Sequence, residues 1–317
     1  MQNEFIRKDD IMSYNLQDGV WPVMLTPFTE QGEIDYDALE HLIKWYEKSG
    51  VTGLFSVCQS SEMFYLSLAE RVNLAKFIKE HSTIPVLASG HVSYGIKEQV
   101  EELKKIAATG VDAVVLITGL LAKEDEDDDK LINNLSIILK ELPETVPLGL
   151  YECPFPYKRL LTKKVIDYCI KSKRFYFIKD TCCDSKEIKR RIKQLEGTCI
   201  KLFNANTATL LESIKNGVAG YSGVMANFHP QLYTWLLQNY KSQPEIASWL
   251  QSILTMCSFI ELKGYPENAK YALKHMGHPI TTFTRRFNKS NLNATSEDEI
   301  RQLILLSEEI EKYLKSI

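Results

Sequence analysis

The chain has 317 residues, of which 44% are hydrophobic and 25% charged, so it can bury a large core and disorder is excluded. Lys plus Arg number 38 against 41 Asp plus Glu, a formal charge of -3, and no basic stripe is interleaved with aromatics, so nucleic acid is not an expected partner. Met1 to Ser13 is charged and lacks the apolar centre of a signal peptide, and no run approaches the ~18 apolar residues of a membrane span, so a cytoplasmic protein with no membrane partner is expected.

From about Trp21 onward, short runs rich in Val, Ile and Leu alternate with amphipathic stretches, the pattern of parallel strands joined by helices. Strands are expected at 22–26, 53–58, 85–89, 113–118, 147–151, 175–179, 200–203 and 219–223, with helices such as 36–49, 68–81, 97–109 and 163–171 between them. Gly50, Gly110 and Gly217 stand where helix C-termini are expected. Beyond Tyr240 only helical periodicity remains, at 245–262, 266–275 and 297–317, with a turn-rich stretch at 278–293. The expected fold is therefore α/β: a (β/α)₈ TIM barrel over 19–240, an N-terminal extension at 1–18 and a C-terminal helical appendage at 241–317.

The acidic run Glu124 to Asp129 reads as a solvated helix N-terminus rather than a cation site, because consecutive residues point in different directions. Seven cysteines without a C-x-x-C pair argue against a disulfide framework or structural zinc. Vicinal Cys182 and Cys183 read as small buried thiols at the barrel rim. Six histidines include no H-x-H or H-x-x-x-H pair, so no metal is expected.

Reacting groups in such barrels come from strand C-termini and the loops that follow. Lys179 follows an apolar run ending in Phe177-Ile178, so desolvation would favour its neutral amine, a carbonyl nucleophile. On the local pattern alone, a lysine snorkelling out beside Asp180 accounts for the sequence better. Tyr151 ends another strand as either a proton-shuttling phenol or a core tyrosine. Ser60 and Ser61 could hold a carboxylate at a helix start or simply cap that helix.

Several segments resemble, in order, those of the dihydrodipicolinate synthase and N-acetylneuraminate lyase family of pyruvate-dependent class I aldolases. They are Gly19 to Phe28, Ser61-Glu62 through Leu68, the Tyr151-x-x-Pro154 motif, Ile178-Lys179-Asp180-Thr181 and the Tyr265-Pro266 pair. The resemblance implies that Lys179 forms an imine with a 2-oxo acid such as pyruvate, without a further cofactor, and that Tyr151 handles protons. It also implies that the Ser60/Ser61 loop holds the pyruvate carboxylate, that Thr181 contacts a substrate hydroxyl, and that the chain forms a homodimer or homotetramer. Asn204, Asn206 and Ser222 are candidate contacts to a hydroxylated tail.

Three positions depart from the family pattern. Gln59 stands where a relay hydroxyl is usual, Gly119-Leu120-Leu121 replaces a segment carrying a relay tyrosine, and Pro156 replaces a synthase arginine, with Lys158 or Arg159 as candidates for its space. The expected activity is reversible cleavage of a hydroxylated, sugar-acid type 2-oxo acid to pyruvate and an aldehyde. The alternatives are dehydration of a sugar acid through the same imine, a dihydrodipicolinate synthase-like condensation, or a non-enzymatic 2-oxo-acid binder.

Overall fold

The computed structural model describes residues 16–317, so the stretch weighed as a signal peptide and most of the expected N-terminal extension lie outside the described residues. Among the described residues eight strands run in chain order: β1 (Gly19–Val20), β2 (Leu54–Ser56), β3 (Val86–Ala88), β4 (Ala113–Ile117), β5 (Leu148–Tyr151), β6 (Phe175–Asp180), β7 (Lys201–Asn204) and β8 (Gly220–Tyr221). All pair in parallel, β1 against β8 and then each strand against its sequence neighbour down to β2. The loop between them is shut just past β1. There Val23 bridges Phe55, the Met24 N–H donates to Phe55 O at 2.9 Å, and the Phe55 N–H donates to Pro22 O at 2.9 Å.

The first strand is shorter and earlier than its apolar run predicts. Pro22 has no N–H to give to a ladder, so regular pairing stops before it. A side chain on Gly220 would meet Gly19 O at 1.8 Å, so the β1–β8 seam needs glycine at 220.

Between the strands lie α1 (Tyr36–Lys48), α2 (Leu68–His81), α3 (Ile96–Ala107), the one-turn α4 (Thr118–Leu121), α5 (Asp128–Glu141), α6 (Lys163–Ser172), α7 (Ser185–Leu195) and α8 (Leu210–Lys215). Side-chain caps fix several starts: Asp35 accepts from the Ala38 N–H, Ser67 and Glu70 form a reciprocal capping box, and Asp127 accepts from the Lys130 N–H. The acidic run thus opens a helix, as expected. Its carboxylates are paired rather than merely solvated, with Asp128 on Arg159 at 3.2 Å and Asp129 on Lys164 at 2.6 Å. Thr118, expected to end a strand, instead opens α4 and donates its hydroxyl to Arg159 O at 2.7 Å.

Inward-facing side chains alternate along each strand and stack in layers. Phe177 lies 5.8 Å from Phe55 and 4.9 Å from Phe203, centroid to centroid, and Trp21 closes against Phe203 at 6.0 Å. Lys179 is the next inward position on β6, so an aromatic layer forms the floor beneath its side chain.

After β8 come α9 (Pro230–Asn239), α10 (Pro244–Cys257), a 3₁₀ turn (Ser258–Leu262), α11 (Glu267–His275) and α12 (Ala294–Ser316). This segment folds back over the C-terminal end of the barrel. Glu62, in the loop after β2, accepts from Lys270 Nζ at 2.6 Å, from the Thr284 hydroxyl at 2.6 Å and from the Arg285 and Arg286 N–H groups. Both members of the Glu62–Lys270 pair are fully buried, and a buried pair of this kind costs about 3–5 kcal/mol when one partner is removed. The roof of the site is therefore bonded to a barrel loop. Among the described residues no helix is long and apolar enough to cross a membrane.

Candidate active site

The C-terminal ends of the strands open into a cavity of about 660 Å³. Lys179 and Tyr151 reach it from adjacent strands as direct register partners. Lys179 is 3% exposed, and its Nζ lies 4.2 Å from the Tyr151 ring centroid and 5.7 Å from that of Phe55. It makes no salt bridge among the described residues. Burial dominates and pulls its ionisation down to about 8, against weaker opposing pulls from Cys58, Cys153 and Glu261. An amine so placed is partly neutral near physiological pH.

The Tyr151 hydroxyl donates to Gln59 Oε1 at 3.4 Å, and the ring meets Phe55 edge-on at 5.7 Å. Burial raises its ionisation well above the usual phenol value, so it stays a proton donor. Gln59 Oε1 also accepts from Cys153 Sγ at 3.4 Å, and burial holds that thiol up at about 11. The position expected to interrupt a hydroxyl relay is thus the acceptor for the phenol.

Beneath these groups a buried ionic network locks β5 to β6. Arg191, 1% exposed, contacts Glu152 Oε1 at 2.8 Å and Asp180 Oδ2 at 2.6 Å, and the second Glu152 oxygen accepts from the Thr181 N–H at 2.9 Å. Asp180 follows Lys179 and Glu152 follows Tyr151 in sequence, but neither they nor Arg191 line the cavity, so they hold the strand ends without pairing with the Lys179 amine. The loop after β2 carries backbone strain: β-branched Val57 has φ 44° and Glu62 φ 58°.

The other expected site residues divide. Ser60, Gln59, Thr181 and Asn206 line the cavity. Ser60 lies beside Tyr265 in that lining, and Thr181 donates its hydroxyl to Glu152 O at 2.7 Å. The Ser61 hydroxyl does not face the cavity, because it donates to Met24 O at 2.7 Å and accepts from the Cys58 N–H at 3.2 Å, which ties the β2 loop to the chain after β1. Asn204 is also turned aside: its amide donates to the Thr209 and Ser213 hydroxyls at 2.9 and 3.0 Å, and its carbonyl accepts from the Asn206 N–H at 2.8 Å. Ser222 is fully buried outside the cavity lining, with no partner for its hydroxyl among the described residues.

Of the two cations offered for the space of the missing arginine, only Lys158 lines the cavity, with Nζ donating to Thr181 O at 2.7 Å. Arg159 turns outward to Asp128 and to the Lys123 and Glu126 carbonyls. Cys183 is a correction of another kind: it is exposed, holds φ 58° and lines the cavity, while Cys182 is half-buried. The left-handed backbone turns Cys183 away from the rim packing expected of it.

Sequence reasoning restricted to strand ends misses the residues that descend from the C-terminal segment: Glu261, Tyr265 and Arg286. The Tyr265 hydroxyl accepts from Asn227 Nδ2 at 2.7 Å, and Arg286 Nη1 donates to Tyr265 O at 3.0 Å. Only the Tyr265-Pro266 pair carried any signal of this.

Eight parallel strands, a closed seam and a buried lysine at the end of the sixth strand define an α/β barrel with an amine at its mouth. The family model described as the dihydrodipicolinate synthetase family matches residues 16–303, and the chain belongs to that family. A 4-hydroxy-tetrahydrodipicolinate synthase of Staphylococcus epidermidis is 24% identical over 266 residues, 82% of this chain and 87% of that protein. An uncharacterised DapA-like lyase of Pyrococcus horikoshii is 33% identical over 137 residues, 43% of this chain and 46% of the relative. Among solved structures, YagE, a prophage protein of E. coli K12 in complex with pyruvate, superposes with a TM-score of 0.83 at 22% identity, covering 92% of this chain and 99% of that one. CdNal from Clostridium difficile, in complex with mannosamine, superposes with a TM-score of 0.81 at 18% identity, covering 92% of this chain and 100% of that one. At these identities the two structures support the fold.

Proposed function

We propose that this chain is a class I lyase that captures the 2-oxo group of an acid such as pyruvate as an imine on Lys179. The observation that carries the reading is the Lys179 amine, buried above an aromatic floor, brought down to about 8 and without a salt bridge among the described residues. A neutral amine adds to the carbonyl, and Tyr151, held protonated by its surroundings, donates a proton as the carbinolamine loses water. The protonated imine is then an electron sink: the Tyr151 oxygen, having given up its proton, takes that of the distal hydroxyl, the carbon–carbon bond of the hydroxylated 2-oxo acid breaks to release an aldehyde, and the enamine takes up a proton before water hydrolyses the imine to pyruvate. Ser60 suits the pyruvate carboxylate, while Thr181 and Asn206 suit a hydroxylated tail. The chemistry needs no further cofactor.

Sodium borohydride added with pyruvate should reduce the imine and leave a pyruvyl-derived adduct on Lys179, located by peptide mass spectrometry. An unmodified Lys179 would sink the mechanism. Dehydration through the same imine is the second reading, supported by Gln59 standing as the acceptor of the Tyr151 hydroxyl. Condensation is a third, supported by the relatives named as synthases. Product analysis separates them, because only cleavage yields a free aldehyde together with pyruvate. We also infer a homo-oligomer, supported by large apolar side chains exposed on the C-terminal helices, among them Trp249, Met256, Leu305 and Tyr313.

A further inference from the structure

The loop after β2 offers a substrate carboxylate fewer donors than its two serines suggest. The Ser61 hydroxyl is spent on Met24 O, and the Ser61 and Glu62 N–H groups are spent on Cys58 O and Gln59 O at 3.1 and 3.0 Å. Of the two serines, Ser60 alone lines the cavity. A carboxylate has about four lone-pair sites and accepts only, so one hydroxyl serves it poorly in a partly buried cavity.

Beside Ser60 in the lining stands Tyr265, between the 3₁₀ turn and α11. Its main chain is held by Arg286 Nη1, which donates to Tyr265 O at 3.0 Å. Its hydroxyl is held by Asn227, a fully buried residue in the turn after β8. The Asn227 amide has one possible orientation. Val23 O can only accept, so the amide nitrogen faces it, at 2.9 Å, and the amide oxygen must accept from the Tyr46 hydroxyl. The remaining Nδ2 proton goes to the Tyr265 hydroxyl at 2.7 Å. That oxygen already accepts in one direction, so the Tyr265 proton points in another, away from Asn227.

Tyr46, Asn227 and Tyr265 thus donate in one sense, each bond polarising the next, and the series ends on a side chain of the cavity wall. Burial pushes the Tyr265 phenol well above its ordinary value, so it keeps its proton. A hydroxylated tail needs acceptors as well as donors. A carboxylate needs donors alone, and the Arg286 cation on the same wall favours an anion there.

We propose that Tyr265, delivered by the C-terminal segment, is a substrate-binding residue whose hydroxyl donates, together with that of Ser60, to the carboxylate of the 2-oxo acid captured by Lys179. The proposal rests on the imine at Lys179.

Borohydride trapping with two ketones, pyruvate and its uncharged methyl ester, tests it. Tyr265→Phe keeps the ring and loses the donor. The pyruvate concentration for half-maximal trapping should then rise about tenfold or more, while that for methyl pyruvate stays within about twofold of the wild-type value. Ser60→Ala should shift the two ketones in the same unequal way. A Tyr265→Phe with an unchanged pyruvate requirement overturns the role of Tyr265 alone. So does a Tyr265→Phe that loses both ketones equally, since the phenol would then shape the cavity or serve imine formation. A wild type that neither ketone modifies in the presence of borohydride overturns the imine and this role together.

Discussion

Tyr151 and Lys179 are register partners at the C-terminal ends of β5 and β6, and the Lys179 amine lies 4.2 Å from the centre of the Tyr151 ring. In a parallel pair, side chains at matched register point to the same face, so choosing the register chooses the neighbour. One step down the strands Gly149 faces Phe177, and a side chain at 149 would press on Phe177 at 3.0 Å. The small residue below lets the large ones above converge.

The first prediction concerns pH. On the proposed imine mechanism the reactive form of Lys179 is the neutral amine, and burial brings its ionisation down from 10.5 to about 8. The initial rate of pyruvate trapping should therefore rise tenfold per pH unit below about 8 and level off above it. A rate still climbing steeply beyond pH 9 would show that the amine is solvated like an ordinary lysine.

Gln59 is the second. Gln59→Leu keeps the volume but removes the acceptor shared by the Tyr151 hydroxyl and the Cys153 thiol. An unsatisfied buried hydroxyl costs about 1–3 kcal/mol, and the misplaced phenol should slow imine formation by about tenfold. Stopped-time trapping at fixed pyruvate measures it.

The third lies at the roof. Lys270→Met leaves the Glu62 carboxylate buried without its cation, which should lower unfolding stability in urea by about 3–5 kcal/mol. Because Glu62 also accepts from the Arg285 and Arg286 N–H groups, pyruvate binding should weaken in the same variant. Unchanged binding would mean that the roof keeps its place without this ion pair.

Arg191 supplies the fourth, with a sign. Arg191→Met leaves Glu152 and Asp180 buried together, and burial and mutual repulsion already push Glu152 upward. A carboxyl whose folded-state ionisation is raised is neutral, and harmless to stability, at low pH. Its penalty grows as pH rises through the folded-state value. The variant should be more destabilised at pH 8 than at pH 5, whereas loss of an exposed ion pair would cost nearly the same at both, because an exposed carboxyl is ionised at either pH. Urea midpoints at the two pH values decide it.

Strand and helix order were legible because short apolar runs and helical periodicity are local patterns, and the charge switch at Lys179-Asp180 marked the end of β6. The first strand was misread because apolar character alone does not reveal that Pro22 breaks the ladder. Ser61, Asn204 and Ser222 stand at the expected places in sequence, but the first two spend their side chains on partners within the scaffold and Ser222 is buried outside the cavity lining. Polar residue type says that a partner is needed and not which partner will be nearest.

By itself the sequence determined the barrel, its eight strands in order, and the lysine and tyrosine that end two of them, since each depends on spacing within a few residues. Only the tertiary structure decided what surrounds that lysine: a phenyl floor from β2 and β6, an amide acceptor from the β2 loop, and a carboxylic acid from a segment more than eighty residues further along the chain. The reason is physical. Desolvation and charge act through space, and the groups that set the Lys179 amine are neighbours only after the C-terminal segment has closed over the barrel mouth.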